Sequence, residues 1–190
     1  IKVNVTDIYV DETEMIKVEV NKNATGNILI TIGEVRVYAN LTDGVAIVNI
    51  TGLAVGEYNV TVVYVGDAIY NGNSTNATFN VTKRSIGINI TCDDEYVIGQ
   101  PIVFTIKTSV NITEVVTITI GENVYHTFVE NGTGTYTVTG LTPDDYTAIV
   151  NFTGNFYYDP VGNFTTFKVI DKLPSSLTVN VTNITVGQNL

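Results

Sequence analysis

Short stretches in which apolar and polar residues change places at every step recur along this chain. In MIKVEV, Met15 to Val20, one side collects Ile16, Val18 and Val20 and the other Lys17 and Glu19; in YNVTVVY the inward set is Tyr58, Val60, Val62 and Tyr64. A period of two is that of a strand with one face buried and the other in water. The same reading predicts strands over Lys2–Thr6, Met15–Val20, Asn27–Ile32, Val35–Asn40, Val45–Ile50, Tyr58–Tyr64 and Asn76–Thr82. Permissive backbone positions separate them: Gly33-Glu34 predicts a hairpin turn, and LTDG predicts a loop ending at Gly44. No segment sustains an apolar period of 3.6 residues, so almost no helix is expected.

The pattern occurs twice. Sliding the sequence by 88 residues sets Gly33-Glu34 on Gly121-Glu122 and Thr51–Leu53 on Thr139–Leu141. Tyr58 then falls on Tyr146, Gly66 on Gly154, Tyr70 on Tyr158, Phe79 on Phe167 and Val81 on Val169. Near the start the shift is 85 residues, Asn4 on Asn89, which puts a three-residue insertion in the second copy before Phe104. From Val179 the motif begins again, Asn180 lying 91 residues beyond Asn89. The expected division is therefore a first repeat over 1–83, a second over 84–172, and a linker with the opening strand of a third repeat, or a donor strand, over 173–190. The chain starts without Met and stops inside a repeat, as a segment of a longer tandem array would. About seven short strands per copy predict an all-β fold of tandem immunoglobulin-like β-sandwich domains. Trp is absent and the single Cys cannot bridge two sheets, so Tyr, Phe, Val and Ile must fill the core and the domains are not of the antibody type.

Composition narrows the function by exclusion. Nineteen acidic against nine basic residues give a net charge of −10, the opposite of a nucleic-acid-binding surface. No apolar run approaches the ~20 residues of a spanning helix, and no basic and apolar leader opens the chain. Cys92 and His126 are each alone and read as strand residues; a thiol catalyst would also need a base beside it.

Asparagine changes the picture most. Residues 75–82, TNATFNVT, are at once an alternating strand and two glycosylation acceptors, Asn76-Ala-Thr78 and Asn80-Val-Thr82. The full set of Asn-X-Ser/Thr sites is Asn4, Asn23, Asn40, Asn49, Asn59, Asn73, Asn76, Asn80, Asn89, Asn111, Asn131, Asn151, Asn163, Asn180 and Asn183, 15 of the 21 asparagines. Residues two apart share a strand face, so an Asn- and Thr-rich wet side generates such triplets by pattern alone. Composition accounts for about four, and doubling Thr on wet faces for roughly eight. Asn23, Asn73, Asn111, Asn131 and Asn163 are moreover expected in loops, where alternation cannot create them. N-linked glycans on a sheet would hydrate its face and block lateral pairing of exposed edges.

The stretch Asn23–Lys83, and within it NATGN at Asn23–Asn27, GLAVGEYNVTVVYVGD at Gly52–Asp67 and YNGNSTNATF at Tyr70–Phe79, resembles a known family. It is similar to the immunoglobulin-like repeats of adhesin-like, Asn/Thr-rich surface proteins of methanogenic archaea. The second copy follows more loosely, with GLTPDDYTAIVNFTGN at Gly140–Asn155 and YYDPVGNFTTF ending at Phe167. The resemblance implies a non-enzymatic, extracellular, glycosylated stalk or adhesion segment at the cell surface. The alternative is a subunit of a surface filament assembled by strand exchange. The partners implied are neighbouring repeats or subunits and unknown host-cell or cell-wall ligands, with no nucleic acid and no membrane span in this segment.

No catalytic or cofactor-binding residue and no metal site is expected. The acidic groups Asp11-Glu12, Asp93–Glu95 and Asp144-Asp145 read as solvated turns; calcium held by converging loops is the sharper alternative, without any EF-hand loop to support it. The lysine–asparagine isopeptide bonds of some related adhesins are not expected, since Lys17, Lys107 and Lys168 fall on outward faces. NFYYDP, Asn155–Pro160, is the nearest approach to a sugar-binding aromatic platform, although Tyr158 aligns with Tyr70 and so reads as core filling. Lys83–Ser85 lacks Gly and reads as a restrictive linker; DKLPSS from Asp171, with Pro174, reads as a semi-rigid spacer.

Overall fold

The structure is a computed structural model that describes residues 1–180. Asn183 and the end of the expected third-repeat strand, 181–190, lie outside the described residues. Among those described, the regular structure is all strand. The contacts divide the described chain into two compact units: residues 1–87 with 152–161, and residues 88–151 with the described residues from 162.

In the first unit the strands are β1 (Lys2–Asn4), β2 (Ile8–Tyr9), β3 (Glu14–Glu19), β4 (Asn27–Ile32), β5 (Val35–Asn40), β6 (Val45–Ile50), β7 (Gly56–Gly66) and β8 (Asn71–Thr82). They form a three-stranded sheet, β1-β3-β6, and a five-stranded sheet, β2-β8-β7-β4-β5. The alternation read from the sequence is the burial pattern: Ile16 and Val18 from one sheet meet Ile28, Ile30, Val60, Val62, Phe79 and Val81 from the other, all essentially inaccessible to water. Each such side chain contributes about 1.5–3 kcal/mol by leaving water, which is what holds two thin sheets together. β4 and β5 pair Ile32 with Val35 across Gly33-Glu34, where Gly33 has φ +56°. Gly44 has φ +74°, and a β-carbon there would strike the Asn21 backbone, so the loop before β6 requires glycine.

The second unit repeats this order with β9 (Ile88–Thr91), β10 (Glu95–Val97), β11 (Ile102–Thr108), β12 (Glu114–Ile120), β13 (Asn123–Val129), β14 (Thr133–Val138), β15 (Asp144–Phe152) and β16 (Val161–Ile170). Its sheets are β14-β11-β9 and β10-β16-β15-β12-β13, around Ile90, Phe104, Ile106, Val116, Ile118, Val150 and Phe167. Two three-stranded antiparallel sheets and two five-stranded sheets, antiparallel but for one short edge strand each, in this strand order are immunoglobulin-like sandwiches.

Three details depart from the sequence reading. The chain switches sheets after β1 and again after β9, adding short strands that pair in parallel, Ile8 with Val81 and Tyr96 with Val169. Two or three residues are too few to show a period, which is why alternation misses them. Asn73 and Asn163, expected in loops, lie inside β8 and β16, because both hairpin arms run almost to the tip. Glu14, in front of the expected strand start, is wholly buried; its carboxylate accepts the Thr6 N–H at 2.9 Å and the Thr6 hydroxyl at 3.1 Å, pinning the sheet switch.

The repeat extends to single hydrogen bonds. Tyr58 stacks on Phe79 at 5.5 Å and Tyr146 on Phe167 at 5.4 Å. The Tyr58 hydroxyl donates to the Ala54 carbonyl and the Tyr146 hydroxyl to the Thr142 carbonyl, each at 3.0 Å. A tyrosine near the start of this strand, bonded to backbone a few residues upstream, is the tyrosine corner of such sandwiches. Tyr58→Phe and Tyr146→Phe are each expected to lower the stability of their own sandwich by about 1 kcal/mol. Urea unfolding checks this against Tyr38→Phe, whose ring is 72% exposed in β5 and whose loss should leave the midpoint unchanged.

Candidate functional site

Strand geometry puts the sequons in water. Of the sequon asparagines within residues 1–180, all but the half-buried Asn4 are exposed. On the wet face of β7 and β8 the antiparallel register places Asn59 opposite Thr78 and Thr61 opposite Asn76. The triplets Asn59-Val-Thr61 and Asn76-Ala-Thr78 therefore lie side by side, head to tail, while Val60 and Ala77 point inward between them. Asn40 on β5 and Asn49 on β6 extend the exposed set to other strands. Asn23 and Asn131 occupy turns and Asn111 the segment before β12; Asn131 has φ +49°, a left-handed position that Asn tolerates.

The structure also distinguishes sequons whose groups serve the fold. The hydroxyl of Thr6 is bound by Glu14 and that of Thr25 by Asp67, while Thr113 accepts the Asn131 N–H at 3.3 Å. These threonines, from the Asn4, Asn23 and Asn111 triplets, have a structural reason to be present. Asn163 is engaged through the amide that a sugar would need: its Nδ2 donates to the Ile88 carbonyl at 2.9 Å and lies 3.5 Å from the Asn89 side-chain oxygen. The Asn80 amide sits 3.3 Å from Asp7 Oδ1. Thr42, Thr51, Thr61, Thr78 and Thr82, of the Asn40, Asn49, Asn59, Asn76 and Asn80 triplets, stand exposed on the surface.

The hairpin tip between β7 and β8 is built on Asp67. One carboxylate oxygen accepts the N–H groups of Ile69 and Tyr70 at 2.8 and 2.7 Å, and the other accepts Thr25 N–H at 2.8 Å and its hydroxyl at 3.1 Å. The Thr25 amide, and then those of Tyr70 and Ile69, hold the Asp67 carboxyl far below its ordinary range. Asn155, 88 residues on, closes the corresponding tip by accepting from Tyr157 and Tyr158, each at 2.9 Å.

A second cluster in the first unit centres on Arg84, a partner that sequence reading did not supply for Asp11-Glu12. Its guanidinium bonds Asp11 and reaches Glu12 Oε1 at 3.0 Å, and it lies 4.6 Å from the centre of the Tyr9 ring. Its N–H donates to the Tyr157 carbonyl at 2.9 Å and its carbonyl accepts from Asp159 at 3.0 Å. The bond from Arg84 lowers the Asp11 carboxyl and raises the guanidinium in turn. Seventy-three residues separate the two charges, a distance at which no local pattern signals a pair.

Other candidates are placed as follows. Burial pushes the Cys92 thiol up, away from the thiolate that nucleophilic work needs. His126 sits exposed in β13 opposite Thr117. Among the described residues, no three of His, Cys, Asp and Glu gather to hold a metal. A cleft of about 250 Å3 beside Tyr64, Tyr70 and Asn71 has no charged side chain in its lining. NFYYDP divides: Tyr158 is half-buried like Tyr70, whereas Phe156 and Tyr157 are 59% and 45% exposed. Their rings stand at 90° to one another, 5.1 Å apart, and so do not make one flat platform.

No family model matches the chain, and no curated protein matches it. Among solved structures, the fibronectin(III)-like modules of Clostridium thermocellum CbhA are 13% identical, with TM-score 0.40, over 94% of this chain and all of theirs. Sidekick-1 immunoglobulin domains 1–5 are 14% identical, with TM-score 0.37, over 90% of this chain and 39% of theirs. A Bacteroides ovatus mixed-linkage glucan utilization protein, SGBP-B in complex with a heptasaccharide, is 18% identical, with TM-score 0.29, over 87% of this chain and 43% of that one. The assignment as immunoglobulin-like sandwiches rests on strand order and register.

The Asp67 tip predicts a pH response with a fixed sign. A carboxyl held below the ordinary 3.8 in the folded state contributes its full stabilisation above pH 3.8, and that contribution is lost as pH falls from there through the lower folded-state value. Asp67→Asn keeps the turn, as Asn155 does, but removes the titration. Between about pH 5 and about pH 2 the melting temperature of the native chain should therefore fall more steeply than that of the variant, by calorimetry.

Proposed function

We propose that this chain is a non-enzymatic segment of an archaeal adhesin-like cell-surface protein, a stalk of tandem immunoglobulin-like sandwiches outside the cell whose wet faces carry N-linked glycans. The observation that carries the reading is the β7–β8 face. Two complete acceptor triplets lie side by side there, with exposed asparagines and exposed threonines and, among the described residues, no side-chain partner that would explain them. Sandwiches of this kind serve widely as spacers, because stability resides in the core and leaves the outer faces free to vary. A sugar on β8 would also cover the sheet side on which β2 pairs only with Val81 and Thr82, leaving most of that long strand as an edge. The net charge of −10 adds solubility to the same surface. Ligand recognition, on this reading, belongs to other parts of a longer protein. The domain division proposed with it is one repeat over 1–83, another over 84–172, and a linker with the opening strand of a third repeat, or a donor strand, over 173–190.

Glycopeptide mapping of protein taken from its own cells tests the reading. Asn59 and Asn76 are expected to be occupied, and Asn163, whose amide is held by the Ile88 carbonyl, to be bare. Peptides of unmodified mass at all these positions would overturn it, and occupancy of Asn163 with Asn59 and Asn76 bare would show that face exposure does not govern the choice.

A further inference from the structure

The outward face of the second unit's five-stranded sheet is apolar where that of the first is polar. Val124 stands opposite Thr119, and Thr119 opposite Ile149. Phe164 comes next. Gly162 of β16 lies against Asn151 of β15, so two residues on Phe164 faces Ile149, as Asn76 faces Thr61 in the first unit. Val124, Ile149 and Phe164 are 56%, 41% and 63% exposed, and their counterparts at the shift of 88 are Arg36, Thr61 and Asn76. The core does not explain an aromatic ring left mostly in water beside an aliphatic side chain, because Ile118, Val150 and Phe167 fill that core from the other side of the sheet.

An acceptor asparagine sits in the same patch. Where the first unit has Val63 the second has Asn151, so between the copies a sequon and an apolar residue have changed places. Asn151 is exposed, two residues from Ile149 on the wet face of β15 and diagonal to Phe164. Diagonal neighbours lie about 7–8 Å apart, within reach of a ring or a longer group. The Asn151 side chain leans over β16: a β-carbon on Gly162 would strike its oxygen, so glycine keeps that path open. Among the described residues nothing bonds its amide, in contrast to the amide of Asn163, and Thr153 of the triplet is exposed.

We propose that the first sugar of an N-linked glycan on Asn151 lies down over β16 and stacks on the Phe164 ring, with Ile149 beside it. The C–H face of a pyranose and the face of an aromatic ring cover apolar surface for each other, while the sugar hydroxyls stay in water. Attachment decides the occupant. A sugar tethered at the diagonal neighbour is present at an effective concentration that a free ligand does not reach, and it keeps other protein off the same row. The first unit has no such seat: Asn59 and Asn76 stand beside Thr78 and Thr61, so their sugars project into solvent. One copy then bears sugar as a coat, and the other wears one as part of its fold.

This rests on the glycan reading and deepens it at one site. The 190-residue chain is secreted from an N-glycosylating host, and its glycans are trimmed to the single sugar on each asparagine. Glycopeptide mapping should show Asn151 occupied, and nuclear magnetic resonance should show that sugar's protons against the Phe164 ring. Thr153→Ala removes the sugar and leaves Asn151 in place; it should speed amide hydrogen exchange in β15 and β16 by roughly two- to tenfold. In a Phe164→Ser background, at an exposed position, Thr153→Ala should leave the exchange unchanged. Asn151 bare, or Asn151 occupied with the same effect of Thr153→Ala in both backgrounds, would overturn the inference. A Thr153→Ala chain that dimerises only while Phe164 is present would assign the row to a second copy and overturn it as well. The glycan reading itself is judged on protein from its own cells, so the two failures are distinct.

Discussion

A strand has two faces, and the core of a sandwich can use only one of them. Each pair of sheets here is held by alternate residues, Ile16 and Val18 against Ile28, Ile30, Val60 and Val62 in one unit, and Phe104 and Ile106 against Val116, Ile118 and Val150 in the other. The intervening positions are left to water, and their chemistry is unconstrained by folding. In this chain they are written in Asn and Thr. A triplet with an apolar middle residue is what a half-buried strand permits: Asn and Thr outward, Val or Ala inward, as at Asn59-Val-Thr61 and Asn76-Ala-Thr78.

The same constraint explains how two copies with limited identity keep one structure. What persists at the shift of 88 is the set of inward positions and the groups that fasten loops: the stacked Tyr and Phe pairs, the tyrosine corners, and the Asp67 and Asn155 tips. Outward positions drift. Where the first copy has Asn76, the second has the exposed Phe164. Arg84 marks another difference: its partners Tyr9, Asp11 and Glu12 correspond to Val97, Gly99 and Gln100, so the second copy lacks the groups that hold the segment after β8 in the first.

Local pattern made most of the fold legible. β4, β5 and β6 begin and end where alternation and the turn at Gly33-Glu34 put them, because each is a half-buried run between permissive backbone positions. What escaped depends on distance or on brevity. β2 and β10 are too short to display a period, and their parallel partners lie more than seventy residues away. Burial of Glu14 follows from a bond to Thr6 across the sheet switch, and the Arg84 cluster from charges brought together by the fold. The tips were read as looser than they are: the Asx bonds of Asp67 and Asn155 let the hairpin arms continue, which carries Asn73 and Asn163 into strands. For the sequons, the sequence supplied positions, while only the structure separates an engaged amide such as Asn163 from exposed ones such as Asn59.

The central claim is that the outer faces, and the β7–β8 face above all, form a sugar-bearing surface at the outside of a cell. Electron cryo-microscopy of the protein as displayed by its own cells tests that most directly. The account predicts density projecting from Asn59 and Asn76 into solvent, with that face of the sandwich free of protein contacts. A bare β7–β8 face packed against another polypeptide would contradict it.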